Sequence, residues 1–208
     1  MPTLEDDCEG TATVEVKAGT QPGDTIMDAA LRAGEYIPHL CHNPEFPPHG
    51  SCRVCVVNAN GRQISACTQP AVENMEVDNS SDEIMDQRRA LLQMLFVEGN
   101  HVCPACEKSG ACQLQAVAYY ANMLSPHFTH FFPQRSVDAS HADIAIDYNR
   151  CILCELCVRA SRDVDHKNVF AIDGRGINSH LVINSPSGKL GDSELSVTDK
   201  SVSVCPVG

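Results

Sequence analysis

Eleven of the twelve cysteines in this 208-residue chain fall into three groups, and no other feature restricts the fold as tightly. The first group is Cys41, Cys52, Cys55 and Cys67, spaced C-x10-C-x2-C-x11-C. The second is Cys103, Cys106 and Cys112, inside "NHVCPACEKSGACQLQ". The third is Cys151, Cys154 and Cys157 of "CILCELC", joined by Cys205 in the closing "SVSVCPVG". Only Cys8 stands apart. Thiols at this density are consumed either by disulfides or by metal.

The rest of the sequence favours metal. The N-terminal "MPTLEDDCEG" is acidic and lacks the basic and apolar regions of a signal peptide, so a reducing, cytoplasmic compartment is expected. No apolar run approaches the roughly 18 residues of a membrane span. A formal net charge of -12 and a pI near 5.0 argue against a nucleic-acid partner. Trp is absent and aromatics make up only 5%, so several small cores supported by metal sites are expected in place of one large core.

Local patterns predict an α+β chain of three modules. "TATVEVK" (11–17) alternates like a strand. "TIMDAALRAG" then places Ile26, Ala29, Ala30 and Ala33 at helical spacing, with Asp24 or Thr25 as N-cap and Gly34 as the stop. "RVCVVNANGRQISAC" reads as two strands around an Asn-Ala-Asn-Gly turn. "SSDEIMDQRRALLQMLFVEGN" predicts a helix with Ser80 and Glu83 in capping-box spacing, Ile84, Leu91, Leu92 and Leu95 on its packing face, and Gly99 at its end. A further helix is expected over 112–124, followed by the connector "SPHFTHFFPQRS". The expected domain limits are 1–79, 80–139 and 140–208.

Each cysteine group carries its own chemistry. C-x2-C-x2-C wraps a tight loop so that successive sulfurs point at successive corners of a cube, which suits a 4Fe-4S cluster. Zinc draws its ligands from two separated knuckles instead. No second triple exists to exchange ligands with, so the Cys-Pro cysteine Cys205 is expected to close the same cluster as Cys151, Cys154 and Cys157. The four thiolates of the first group fit either tetrahedral zinc or a 2Fe-2S centre. In "HGSCRVC", Gly50 lets the backbone approach closely and aim N–H groups at cluster sulfurs, which favours iron-sulfur. The second group is one ligand short. Cys8 lies some 95 positions away in an acidic tail, whereas His101 is two residues from Cys103, and imidazole is an established substitute for thiolate on iron-sulfur iron.

Together these motifs make the chain resemble the iron-sulfur subunit of the diaphorase part of NAD-reducing nickel-iron hydrogenases. It is also similar to the N-terminal region of the large iron-sulfur subunit of respiratory complex I, and to parts of NAD-linked formate dehydrogenases and iron-only hydrogenases. The resemblance implies a 2Fe-2S β-grasp domain, a small helical 4Fe-4S domain ligated by one histidine and three cysteines, and a ferredoxin-like 4Fe-4S domain. Many of these relatives place the histidine four residues before the first cysteine, where this chain has Gly99. "EGNHVCPACEKSGACQLQ" is closest to the hydrogenase-diaphorase branch, with its short H-x-C spacing. The chain ends three residues after Cys205, so no molybdenum domain or hydrogen-activating cluster domain is expected.

No Gly-rich dinucleotide fingerprint follows a strand, and "DGRGI" (173–177) reads as a turn. No catalytic residue and no NAD or flavin site is therefore expected. The expected function is electron relay through one 2Fe-2S and two 4Fe-4S clusters. The resemblance implies a hetero-oligomer with a flavoprotein NAD(H)-binding subunit on one side and the small subunit of a nickel-iron hydrogenase on the other. An equivalent relay subunit of a formate dehydrogenase or a quinone-linked complex is the alternative, and a zinc-stabilised interaction protein is the remote one.

Overall fold

The structure, a computed structural model, describes residues 13–15 and 23–208. Cys8 and most of the first expected strand lie outside the described residues. Strand β1 (Thr13–Glu15) falls within that expected strand. With β4 (Glu76–Asp78), β2 (Val56–Ala59) and β3 (Arg62–Ser65) it forms a four-stranded sheet in the order β1-β4-β2-β3, with every neighbouring pair antiparallel. The β2–β3 turn places Asn60 and Gly61 at φ 49° and 76°, the left-handed pair that a tight two-residue hairpin requires.

Helix α1 (Ile26–Arg32) lies against this sheet, burying Ile26, Met27 and Ala30 with Val57, Ala59 and Val77. Its N-cap is Thr25. The Thr25 hydroxyl accepts from the Asp28 amide at 3.2 Å, and Asp28 accepts from the Thr25 amide at 2.9 Å, closing a capping box. Ala33, expected on the packing face, is instead the exposed C-cap, and Met27 takes the buried position.

Helix α2 (Asp82–Glu98) begins one residue later than the sequence predicts. Ser81 is the N-cap and makes no side-chain cap bond, so the expected Ser80–Glu83 box does not form. The Asp78 carboxylate accepts the amides of Ser80 and Ser81, and Glu83 accepts from Gln63. Competition for these groups from the sheet explains the shift. The buried stripe of α2 is Ile84, Arg88, Leu92 and Phe96, at a spacing of four. Helix α3 (Gln113–Tyr120) is shorter than expected, with Cys112 as N-cap, and the chain turns at Asn122 in the left-handed region.

The C-terminal third holds two small antiparallel pairs. One joins β5 (Val137–Asp138) to β6 (Ile146–Asp147), and the other joins β7 (Phe170–Asp173) to β8 (His180–Ile183). Helix α4 (Leu156–Asp163) packs on β7 and on the short α5 (Lys200–Ser203). The "DGRGI" stretch is a turn, as expected, with Gly174 and Gly176 at positive φ.

Burial is divided among several small cores, and two of them join residues from different expected modules. One gathers Leu40 and Val54 with Leu92, Phe96, Leu114 and Val207. Another gathers Cys41 and Phe46 with Cys154, Leu156 and Ala160. Segments far apart in the sequence are therefore joined through apolar contacts that also contain several of the cysteines. Among the described residues no helix is long and apolar enough to cross a membrane.

Candidate iron-sulfur centres

The hairpin β2–β3 and the loop before it bring the first group together. Cys41, Cys55 and Cys67 are buried, Cys55 Sγ lies 3.3 Å from Cys67 Sγ, and the Cys52 amide donates to Cys41 Sγ at 3.4 Å. Contacts with the Cys52 and Cys67 sulfurs hold Cys41 down at about 2, and contact with Cys67 lowers Cys55 to about 7. Cys52 and Cys67 are pushed up in turn by the same sulfur contacts and by burial. Four sulfurs this close cannot all be thiolates unless a cation compensates them, and the ferric irons of a 2Fe-2S centre supply that charge. The donor set fits such a centre. Gly50, at φ +74°, has its open side against Thr68, where a Cβ would come within 2.9 Å of the methyl group.

The second group surrounds a small cavity. His101, Cys103, Cys106 and Cys112 line it together with Phe96, Leu114, Gln115, Arg150 and Val207. The Nε2 of His101 is buried and has no hydrogen-bond partner. An unpaired buried nitrogen carries a desolvation cost that metal coordination removes, so the site fits an iron-sulfur cluster with one imidazole ligand. Burial, reinforced by the charge of Arg150, lowers His101 to about 4, which keeps the ring neutral as a ligand must be. The ring packs edge-on against Phe96 at 5.5 Å.

The third group lines an apolar cavity of about 600 Å³, where Cys151, Cys154, Cys157 and Cys205 meet Ile144, Ile152, Phe170 and Leu190. Burial raises all four thiols, Cys157 to about 12. The amides of Leu153 and Leu156 are directed at the sulfurs of Cys151 and Cys154, and those of Val207 and Gly208 at Cys205. Leu153 and Glu155 adopt left-handed backbone at φ 52° and 58°, as Arg53 does at 59° between Cys52 and Cys55. Such turns aim successive N–H groups inward and form nests for anionic sulfur. Side chains with a Cβ rarely adopt this conformation, so nothing in the sequence marks it. Among the described residues no group of three or more His, Cys, Asp or Glu side chains is disposed to hold a single metal ion.

Three regions of the chain match families of known function. Residues 13–82 match the 2Fe-2S iron-sulfur cluster binding domain, 88–127 the NADH-ubiquinone oxidoreductase-G iron-sulfur binding region, and 144–208 the 4Fe-4S single cluster domain. The gamma chain of the NAD-reducing hydrogenase HoxS of Cupriavidus necator is 40% identical over 190 residues, covering 91% of this chain and 80% of that protein. The chain belongs to the family of NAD-reducing hydrogenase gamma chains. A chain in the crystal structure of an NAD+-reducing [NiFe]-hydrogenase in the H2-reduced state superposes on it with a TM-score of 0.88 at 54% identity, covering 91% and 81% of the two chains. The alpha chain of the NADPH-Fe(3+) oxidoreductase of Geobacter sulfurreducens is 30% identical, but the match spans only 22% of that protein. Membership in the gamma-chain family makes this an α+β protein with 2Fe-2S and 4Fe-4S cluster-binding domains.

Side chains that the sequence left unmarked join the three groups. Arg159 of α4 is buried, lies over the Phe46 ring at 5.4 Å, and donates to the carbonyls of Pro47, at 2.9 Å, and of Cys41. Arg88 is fully buried and donates to the carbonyls of Val54 and Val56 at 3.2 and 2.7 Å, either side of Cys55. Arg150 reaches Cys106 Sγ at 3.5 Å from its place beside Cys151. The Gln113 amide donates to Pro206 at 2.9 Å, which ties Cys112 to the segment of Cys205.

Proposed function

We propose that the chain is the electron-relay subunit of an NAD-reducing hydrogenase, with one 2Fe-2S centre held by Cys41, Cys52, Cys55 and Cys67 and two 4Fe-4S centres. His101, Cys103, Cys106 and Cys112 hold one of these, and Cys151, Cys154, Cys157 and Cys205 the other. In this reading 1–79, 80–139 and 140–208 are the three cluster domains. When bound, the clusters supply one-electron redox chemistry. The chain's own residues fix their spacing, exclude water and supply compensating charge.

The observation that carries this reading is that the third cysteine group shares an apolar core with each of the other two. It meets Cys41 through Cys154 and Leu156, and it meets Cys103 and Cys112 through Ile152, Cys205 and Val207. Cys52 of the first group packs against both of these cores. The three sites are thus joined by continuous apolar packing although they lie far apart in the sequence. A dry and continuous core between redox sites is what a relay needs and what an isolated structural metal site does not.

The partners in this reading are a flavoprotein that exchanges electrons with NAD(H) and the small subunit of a nickel-iron hydrogenase, in a stable hetero-oligomer in the cytoplasm. Anaerobic reduction tests it. Dithionite reduces the isolated chain, NADH reduces it slowly, and adding the flavoprotein subunit makes NADH reduction fast. Rapid NADH oxidation by the chain alone overturns the reading, because it requires a nucleotide site within this chain.

A further inference from the structure

Arg150 lines the cavities of both the second and the third cysteine groups. Its Nη1 donates to Cys106 Sγ at 3.5 Å, and its own backbone leads directly into Cys151. Its charge is held in place from two sides, by Glu107 Oε1 at 2.7 Å and Asp147 Oδ2 at 3.1 Å. The side chain is 27% exposed, so solvent screens it only partly. Asp147 in turn caps the short helical turn that carries Arg150, through the Asn149 amide at 3.0 Å. The guanidinium is thus fixed from both neighbouring segments at the boundary of two sites.

We propose that Arg150 is a positioning residue whose fixed positive charge raises the reduction potentials of both flanking 4Fe-4S centres together. The inference rests on the cluster assignment above. A cluster ligated mainly by thiolates is anionic, and adding an electron increases that charge. A cation shared by two such sites stabilises the electron on either one and offsets the Glu107 and Asp147 carboxylates beside them, and net charge and hydrogen bonds to sulfur are established determinants of cluster potential. Arg150 lines the cavities of the other two sites, while the first site has buried arginines of its own in Arg88 and Arg159.

The test uses the complete complex and its Arg150→Gln and Arg150→Lys variants, with iron and sulfide content measured first and then redox titrations followed by electron paramagnetic resonance. A wild type without two 4Fe-4S centres defeats the cluster assignment itself. With the clusters present, Arg150→Gln is expected to lower both 4Fe-4S midpoints, changing the oxidised-to-reduced ratio at fixed potential by about tenfold. The 2Fe-2S midpoint stays unchanged, and Arg150→Lys stays near wild type. Loss of a cluster from Arg150→Gln but not from Arg150→Lys also supports charge as the requirement. Unchanged midpoints in Arg150→Gln, equal shifts of all three centres, or equal effects of glutamine and lysine overturn the proposal.

Discussion

Gly99 lies directly against His101: a Cβ at position 99 would sit 2.6 Å from Nε2 and 2.9 Å from the Asn149 carbonyl oxygen. The backbone of Gly99 is extended, at φ -117° and ψ 177°, so its constraint is space and not conformation. A side chain at position 99 and the His101 ring in its present place therefore exclude each other on steric grounds.

Gly99→Ala is therefore expected to push the imidazole from its place and to weaken or convert the second centre, while the other two remain. Electron paramagnetic resonance of the reduced complex checks this. An unchanged second-centre spectrum would show that the ring has room to move.

Replacing His101 tests its role directly. A neutral imidazole in place of a thiolate leaves a cluster one unit less negative, which favours reduction, as the raised potentials of Rieske centres illustrate. His101→Cys is expected to keep the cluster at a lower midpoint potential, and His101→Ala to lose or convert it. Identical redox titrations for both variants and the wild type remove His101 from the ligand set.

Acidification gives a third outcome. Burial lowers the His101 pKa to about 4, so the ring becomes protonated only as pH falls through that value. Well above it the ring is neutral and, in the proposed assignment, free to bind iron through Nε2. The second-centre signal should thus hold steady from pH 8 to about 5, and should not decline around pH 6.5, where an exposed histidine would titrate.

Much of this architecture is legible in the cysteine spacing, because three or four sulfurs at fixed separations leave few ways to surround an inorganic core. Helix α1 and its Thr25 cap are legible for similarly local reasons, since capping and helical periodicity act within a few residues. The arginines are not. Arg88, Arg150 and Arg159 make their decisive bonds to residues 34, 44 and 118 positions away, and read locally as ordinary charged positions on or beside helices. The left-handed turns at Arg53, Leu153 and Glu155 escape notice because none is a glycine. Ser80 fails as a cap because Asp78, at the end of β4, takes the amides of Ser80 and Ser81.

Arg88 also supports a stability prediction. Its guanidinium satisfies the Val54 and Val56 carbonyls and both oxygens of Asn79, at 2.5 to 3.2 Å, and burial lowers its pKa to about 10. Arg88→Met leaves these buried acceptors without their donor, at a cost of about 3 kcal/mol. The thermal transition followed at the 2Fe-2S absorption should fall by about 6 °C or more. A variant as stable as wild type would show that water or neighbouring amides replace the guanidinium.

The central claim, three clusters on one chain, is tested most directly by anaerobic iron and acid-labile sulfide analysis of the purified protein and of its Cys8→Ser variant. One 2Fe-2S and two 4Fe-4S centres require about ten irons and about ten sulfides per chain, unchanged by the substitution at Cys8. A count near six, stoichiometric zinc in place of iron, or a loss of about four irons from Cys8→Ser would contradict the account.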